Sequence, residues 1–173
     1  VSTLVPSYTV IGQGSVFGVP IPVIIFLIFT VITYIMLNYM KFGKFIYAIG
    51  GNENAAVVSG IPIQKVKILV YAYAGLLSAI AGIILSSRIN SGQPGLGLNY
   101  ELDAIASATV GGVSHSGGIG TIGGTFVGIL IMGTLTNTMD LMNISPYWQQ
   151  VVRGAIIVAA VCIDTYRKKR AIS

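Results

Sequence analysis

Charge is what this chain has least of. Only 9% of its 173 residues are Asp, Glu, Lys or Arg, and the acids number five: Glu53, Glu101, Asp103, Asp140 and Asp164. A soluble domain carries about 25% charged residues, so a chain this poor in charge would expose sticky apolar patches in water. Cysteine is almost absent too. Cys162 alone excludes an internal disulfide, and with His115 the only histidine, no Cys/His pair has zinc-ligand spacing. There is no G-x-x-x-x-G-K-[ST] phosphate cradle, because Gly43-Lys44 is followed by Phe45 and lacks the loop. A nucleophile elbow and an H-E-x-x-H pair are missing as well.

Apolar residues and glycine fill the space. The chain is 54% hydrophobic with a mean hydropathy of +0.83. Its 22 glycines are about twice the usual share and suit close-packed membrane helices. The class is an all-α polytopic membrane protein, with about four full transmembrane helices, a short broken or re-entrant helix and a short cytoplasmic helix. The +5 net charge would suit nucleic acid, but the cations flank apolar runs and read as a topology signal.

In chain order, residues 1–18 read as an extramembrane connection with some extended structure. Residues 19–40 are the first span, long enough for roughly 30 Å of hydrocarbon, with Pro20 and Pro22 where a missing N–H costs least. Residues 41–67 form a polar loop containing a short helix over 52–59. The second span is 68–87, followed by an outer Gly/Pro loop over 88–100. Residues 101–120 are a short apolar helix broken by a glycine loop, GGVSHSGGIG, and 121–139 cross again. The last span is 147–166, with Tyr147, Trp148 and Tyr166 at its interfaces, and 167–173 are a cytoplasmic tail. The chain begins at Val1, and the expectation is a piece lacking an N-terminal half.

Orientation follows from the cations. With the basic tail inside, Lys41, Lys44, Lys65, Lys67, Arg167, Lys168, Lys169 and Arg170 all face the cytoplasm, leaving Arg88 and Arg153. The opposite orientation breaks the positive-inside rule. Segment 101–139 starts and ends outside whether it crosses twice or re-enters.

Within the loop, Asn52 can cap a helix, Glu53 suits the positive end of its dipole, and Gly60 suits a left-handed C-terminal position before Pro62. Two turns are unstable alone, so this helix docks on something or is simply a capped turn between spans. Arg153 is costly inside a span. It pairs with Glu101 or Asp103, snorkels outward, or meets substrate. Thr134, Asn137 and Thr138 make a polar stripe for a sugar hydroxyl or for helix–helix contact. His115 between Ser114 and Ser116 is expected to bond to backbone rather than to serve a Ser–His pair.

Three separated blocks then agree in order: YAIGGNENAAVVSGI (47–61), YELDAIASATVGGVSHSGGIGTIGGTFVG (100–128) and SPYWQQVVRGAIIVAAVCID (145–164). Together they resemble the permease subunit of bacterial monosaccharide ABC importers of the ribose/galactoside type, in the branched-chain amino-acid permease superfamily. The likeness runs from about residue 10 to 169 and corresponds to the C-terminal half of subunits about twice this long. It implies a subunit of the bacterial cytoplasmic membrane that works as a pair, most simply a homodimer. Two ABC ATPase modules would sit below it and an extracytoplasmic sugar-binding protein above. It also implies that helix 52–59 is the coupling helix seated in the ATPase. Asn52, Glu53, Asn54, Ala55, Ala56, Ser59 and Gly60 would form it, with Ala55, Ala56 and Ser59 permitting close approach and Glu53 and Asn54 giving rim contacts. On that reading the chain is not an enzyme and needs no cofactor or metal, ATP being bound by the partner. A passive channel or facilitator is the alternative. An intramembrane enzyme would need a polar dyad from His115, Glu101 or Asp103.

Overall fold

The computed structural model describes residues 6–172. Eight helices and a two-stranded ribbon follow one another: α1 Pro6–Gln13, β1 Ser15–Val16, β2 Val19–Pro20, α2 Ile21–Tyr39, α3 Lys41–Gly51, α4 Glu53–Val58, α5 Ile63–Ile89, α6 Tyr100–Val110, α7 Ile122–Leu141 and α8 Pro146–Ile172. Four of these, α2, α5, α7 and the Pro146–Tyr166 part of α8, are long and apolar enough to cross a membrane. The chain is a helical polytopic membrane protein. Its packing divides into two compact units, one of residues up to Ile46 with Ala56–Leu98, the other of Tyr47–Ala55 with the chain from Asn99 onward.

In the first unit the expected connection over 1–18 is more ordered than its Gly, Ser and Thr content suggests; residues 1–5 lie outside the described residues. Helix α1 lies against the end of α5. The Ser87 hydroxyl donates to the Tyr8 carbonyl at 2.6 Å and accepts from the Gly12 N–H at 2.8 Å, with Ser87 fully buried between them. A Cβ on Gly12 would run into the Arg88 backbone. The ribbon turns at Phe17 and Gly18, both at positive φ, and its strand β2 takes the residues expected to open the first span. Helix α2 therefore starts at Ile21, with prolines at its N-cap and N2. The Thr33 hydroxyl meets the Tyr73 hydroxyl at 2.7 Å, joining α2 to α5.

The expected loop over 41–67 is mostly helical, which corrects the reading of it as a connection with one short helix. Met40 is extended and ends α2, and α3 starts at once. A Cβ on Gly43 would strike the Leu37 carbonyl, so only glycine lets the two helices fold back this sharply. Phe42, Phe45, Ile46 and Ile49 of α3 are half-buried while Lys41, Lys44 and Ala48 are exposed, a helical period that suits a membrane–water boundary. Helix α5 starts five residues before the expected span. At 27 residues it is about 40 Å long, longer than the roughly 30 Å of hydrocarbon, so the exposed Lys65 and Lys67 ride its projecting end.

In the second unit α6 has 11 residues, about 16 Å, half a bilayer. It runs antiparallel to α7: a Cβ on Gly111 would strike Gly124 and Thr125, and one on Gly128 would strike the Ser107 carbonyl. Its partners on α8 keep a constant offset instead, Asp103 to Arg153 and Ser114 to Asp164. Segment 103–114 therefore runs parallel to α8. Helix α8 continues to Ile172 through the residues expected as a tail; the side chains of Arg167, Lys168, Lys169 and Arg170 lie outside the described residues.

Candidate functional site

Helix α4 is closed at both ends by its own sequence. Asn52 Oδ1 accepts from the Ala55 N–H at 3.0 Å, satisfying one of the free donors of the first turn. At the other end the Gly60 N–H donates to the Val57 carbonyl at 2.9 Å and the Ile61 N–H to the Ala56 carbonyl at 3.1 Å. This paired closure needs the left-handed residue that Gly60, at φ 75°, supplies. Six residues held this way present nearly all their side chains outward. Asn52, Glu53, Asn54, Ala55 and Ser59 are exposed, and Val57 and Val58 are 58% and 89% exposed. Ala56 is the exception at 3%. Its methyl group packs inside the chain, away from the exposed face of α4. The two valines were not among the expected contact residues. They are two adjacent apolar residues within the polar loop and form an exposed apolar spot beside Glu53, Asn54 and Ser59.

The approach to α4 is anchored to the glycine loop that joins α6 to α7. The Tyr47 hydroxyl donates to the Gly120 carbonyl at 2.9 Å. Three residues on, backbone lies on backbone. A Cβ on Gly50 would stand 2.5 Å from the Gly118 nitrogen, one on Gly117 2.6 Å from the Gly50 oxygen, and one on Gly118 2.7 Å from the Gly51 Cα. Gly117 and Gly118 also hold positive φ, at 85° and 75°, which a side chain strains. The loop's other edges meet the remaining helices of this unit. Gly112 ends α6, Thr121 Oγ1 accepts from the Gly124 N–H at 3.1 Å to cap α7, and the buried Ser114 hydroxyl donates to Asp164 Oδ2 of α8 at 2.8 Å. Asp164 is therefore a tertiary partner of the loop.

About 16 Å along α8 from Asp164, counted over 11 residues, a second polar group ties the same helices. Arg153 Nε stands 3.0 Å from Asp103 Oδ1, with the side chains 14% and 31% exposed. The N–H does not aim at the oxygen, so this is a charge pair without an aligned hydrogen bond. Arg153 Nη2 also donates to Gln149 Oε1 at 3.3 Å, and Gln149 Nε2 donates to Asp140 Oδ1 of α7 at 2.8 Å. Of the two acids considered for Arg153, Asp103 is beside it and Glu101 is exposed.

The remaining candidates are dispersed. The Thr134 and Thr138 hydroxyls donate back to the Leu130 and Thr134 carbonyls at 2.8 Å, and with Asn137 they lie on an exposed face of α7. His115 Nε2 meets the Thr109 hydroxyl at 2.8 Å, a side-chain partner where backbone was expected. Because Thr109 donates to the Ile105 carbonyl, the imidazole is the donor. Ser114 and His115 thus point to different partners. Among the described residues no cluster of His, Cys, Asp and Glu could hold a metal ion.

Residues 2–161 match the family model for the branched-chain amino acid transport system / permease component. The chain is 49% identical over 164 residues to the ribose import permease protein RbsC of Bacillus subtilis, an alignment covering 95% of this chain and 50% of that one. It is 47% identical over 163 residues to the L-arabinose transport system permease protein AraH of Escherichia coli, covering 94% and 50%. With the xylose transport system permease protein XylH of Haemophilus influenzae it shares 40% over 169 residues, covering 94% and 45%. The chain spans about half the length of these curated relatives. No solved structure matches it.

Proposed function

The chain belongs to the branched-chain amino acid transport system / permease component family, and from that premise we propose that it is the membrane-spanning part of an ATP-driven importer. It carries a monosaccharide inward across the bacterial cytoplasmic membrane. The observation that carries this reading is the 40–49% identity, over nearly all of the chain, to permeases named for ribose, L-arabinose and xylose. All three sugars are pentoses, which puts a pentose ahead of galactose as the cargo.

The chain has no phosphate cradle, so ATP is bound and hydrolysed by a separate ABC ATPase, and the permease needs no cofactor of its own. Helix α4 is the docking element. Asn52 and Gly60 hold its shape, Val57 and Val58 offer an apolar contact, and Glu53, Asn54, Ala55 and Ser59 surround them. A helix of six residues adds little stability by itself, so its closed ends serve to present a fixed surface to the ATPase. An extracytoplasmic sugar-binding protein delivers the sugar, and a second permease subunit, most simply an identical one, completes the pathway. The cations flanking the spans support a cytoplasmic position for α4 and the end of α8.

The test is uptake of radiolabelled ribose, arabinose, xylose and galactose by vesicles carrying the complete transport system, with and without ATP. Pentose uptake that depends on ATP and on the binding protein is expected. Uptake indifferent to ATP would identify a facilitator instead.

A further inference from the structure

If α4 receives a push from an ATPase, its movement must reach the helices that carry the sugar, and the contacts of the second unit offer one short route. We propose that the glycine loop between α6 and α7 is the relay, with Tyr47 and Gly50 as the residues that hand movement on to it. The proposal rests on the importer reading and adds which residues position the transport helices.

Three observations carry it. First, the loop touches four helices of its unit: the end of α3 through Tyr47 and Gly50, the end of α6 at Gly112, the cap of α7 at Thr121, and α8 through Ser114 and Asp164. Second, its seat on α3 is made of backbone. A side-chain contact can absorb a displacement by changing rotamer, but Gly50 against Gly117 and Gly118 has no rotamer to change. Closely packed protein is also barely compressible, so a shift of the α3–α4 junction must move the loop. Third, a hydrogen bond fixes the register of that seat. The Tyr47 hydroxyl holds the Gly120 carbonyl one residue before the cap of α7.

Neighbouring glycines supply an internal control. A methyl group at Gly50 would stand 2.5 Å from the Gly118 nitrogen, whereas one at Gly51 meets nothing within 4 Å. Gly50→Ala should therefore disturb the relay and Gly51→Ala should not. Tyr47→Phe keeps the ring and removes only the donor, so it serves where Gly50→Ala fails to insert.

The experiment uses the complete transport system with Cys162→Ser as background and Ile119→Cys as reporter, since Ile119 is 59% exposed on the loop. Three quantities are read for each variant: ATPase co-purification, the change in maleimide labelling at position 119 on adding ATP, and sugar taken up per ATP hydrolysed. Tyr47→Phe and Gly50→Ala are expected to keep ATPase association within about twofold, the range of a surface change. They should lose the ATP-dependent change in labelling and transport roughly fivefold or less well per ATP, the lower end of ordinary coupling energies. Gly51→Ala should match the parent in all three. The relay is wrong if position 119 responds to ATP in both variants as it does in the parent, with uptake per ATP unchanged. Should the parent bind no ATPase and ignore ATP, the importer reading itself fails, and the relay with it.

Discussion

Arg153 shows how a single charge inside a span is made tolerable. A cation near the bilayer centre costs several kcal/mol when unpartnered, and here Asp103 stands 3.0 Å away while Gln149 accepts a further N–H. Removing one member of such a pair strands the other. Arg153→Ala is expected to lower stability by on the order of 3 kcal/mol, seen as a lower midpoint in thermal unfolding in detergent. Asp103→Ala in the same chain should recover part of that loss, because it removes the stranded acid. The arginine and its two candidate acids were legible in the sequence as a costly charge near others of opposite sign. The choice of Asp103 over Glu101 was not, because it depends on which side of α6 faces α8. Asp164 was illegible for a related reason: its partner Ser114 lies 50 residues away, in a loop with no periodicity of its own.

Among the elements, α4 was the most readable, since both its stop signals are local. Asn52 and Gly60 act through their own neighbours and needed no knowledge of the fold. Replacing Asn52 by Ala should cost about 1 kcal/mol, and Gly60→Ala, forced to positive φ, about 1–2 kcal/mol. The double variant should let amides 55–58 exchange with deuterium faster than in the parent while α5 amides stay protected, which hydrogen-exchange mass spectrometry would resolve. Ala56→Trp tests a different matter. Since Ala56 is buried, the larger ring must displace the chain's own packing, so the variant should lose folded protein before it loses docking. Val58→Ser, at an exposed position, should weaken ATPase co-purification with the fold intact. Helix α3 was not legible in the sequence, since three of its 11 residues, Gly43, Gly50 and Gly51, are poor helix formers. Two of these are required by close backbone approach, and helix propensity yields to packing there.

At the scale of the whole molecule, four apolar runs told the class and nearly all of the span count, because the bilayer fixes the length that a run must have. What composition left open was how 101–139 is arranged. The 11-residue α6 beside the 20-residue α7 has the lengths of a half-span and a full one. Sidedness can be measured directly. With Cys162→Ser as background, Asn54→Cys should react with a membrane-impermeant maleimide only in inside-out vesicles, and Gln93→Cys only in right-side-out ones. Labelling of residue 54 from the outer side would invert the arrangement and remove α4 from reach of any cytoplasmic ATPase.

The seat of α1 carries one more implication, about how the chain is made. Tyr8 and Gly12 find their partners, Ser86 and Ser87, only 75 to 79 residues later. A ribosome adding roughly 5–20 residues per second needs several seconds to reach them. During that interval α1 waits for its partners on α5, and two apolar spans, α2 and α5, must be threaded into the lipid before those partners exist. The contact between α1 and the end of α5 is therefore among the last parts of this unit to settle.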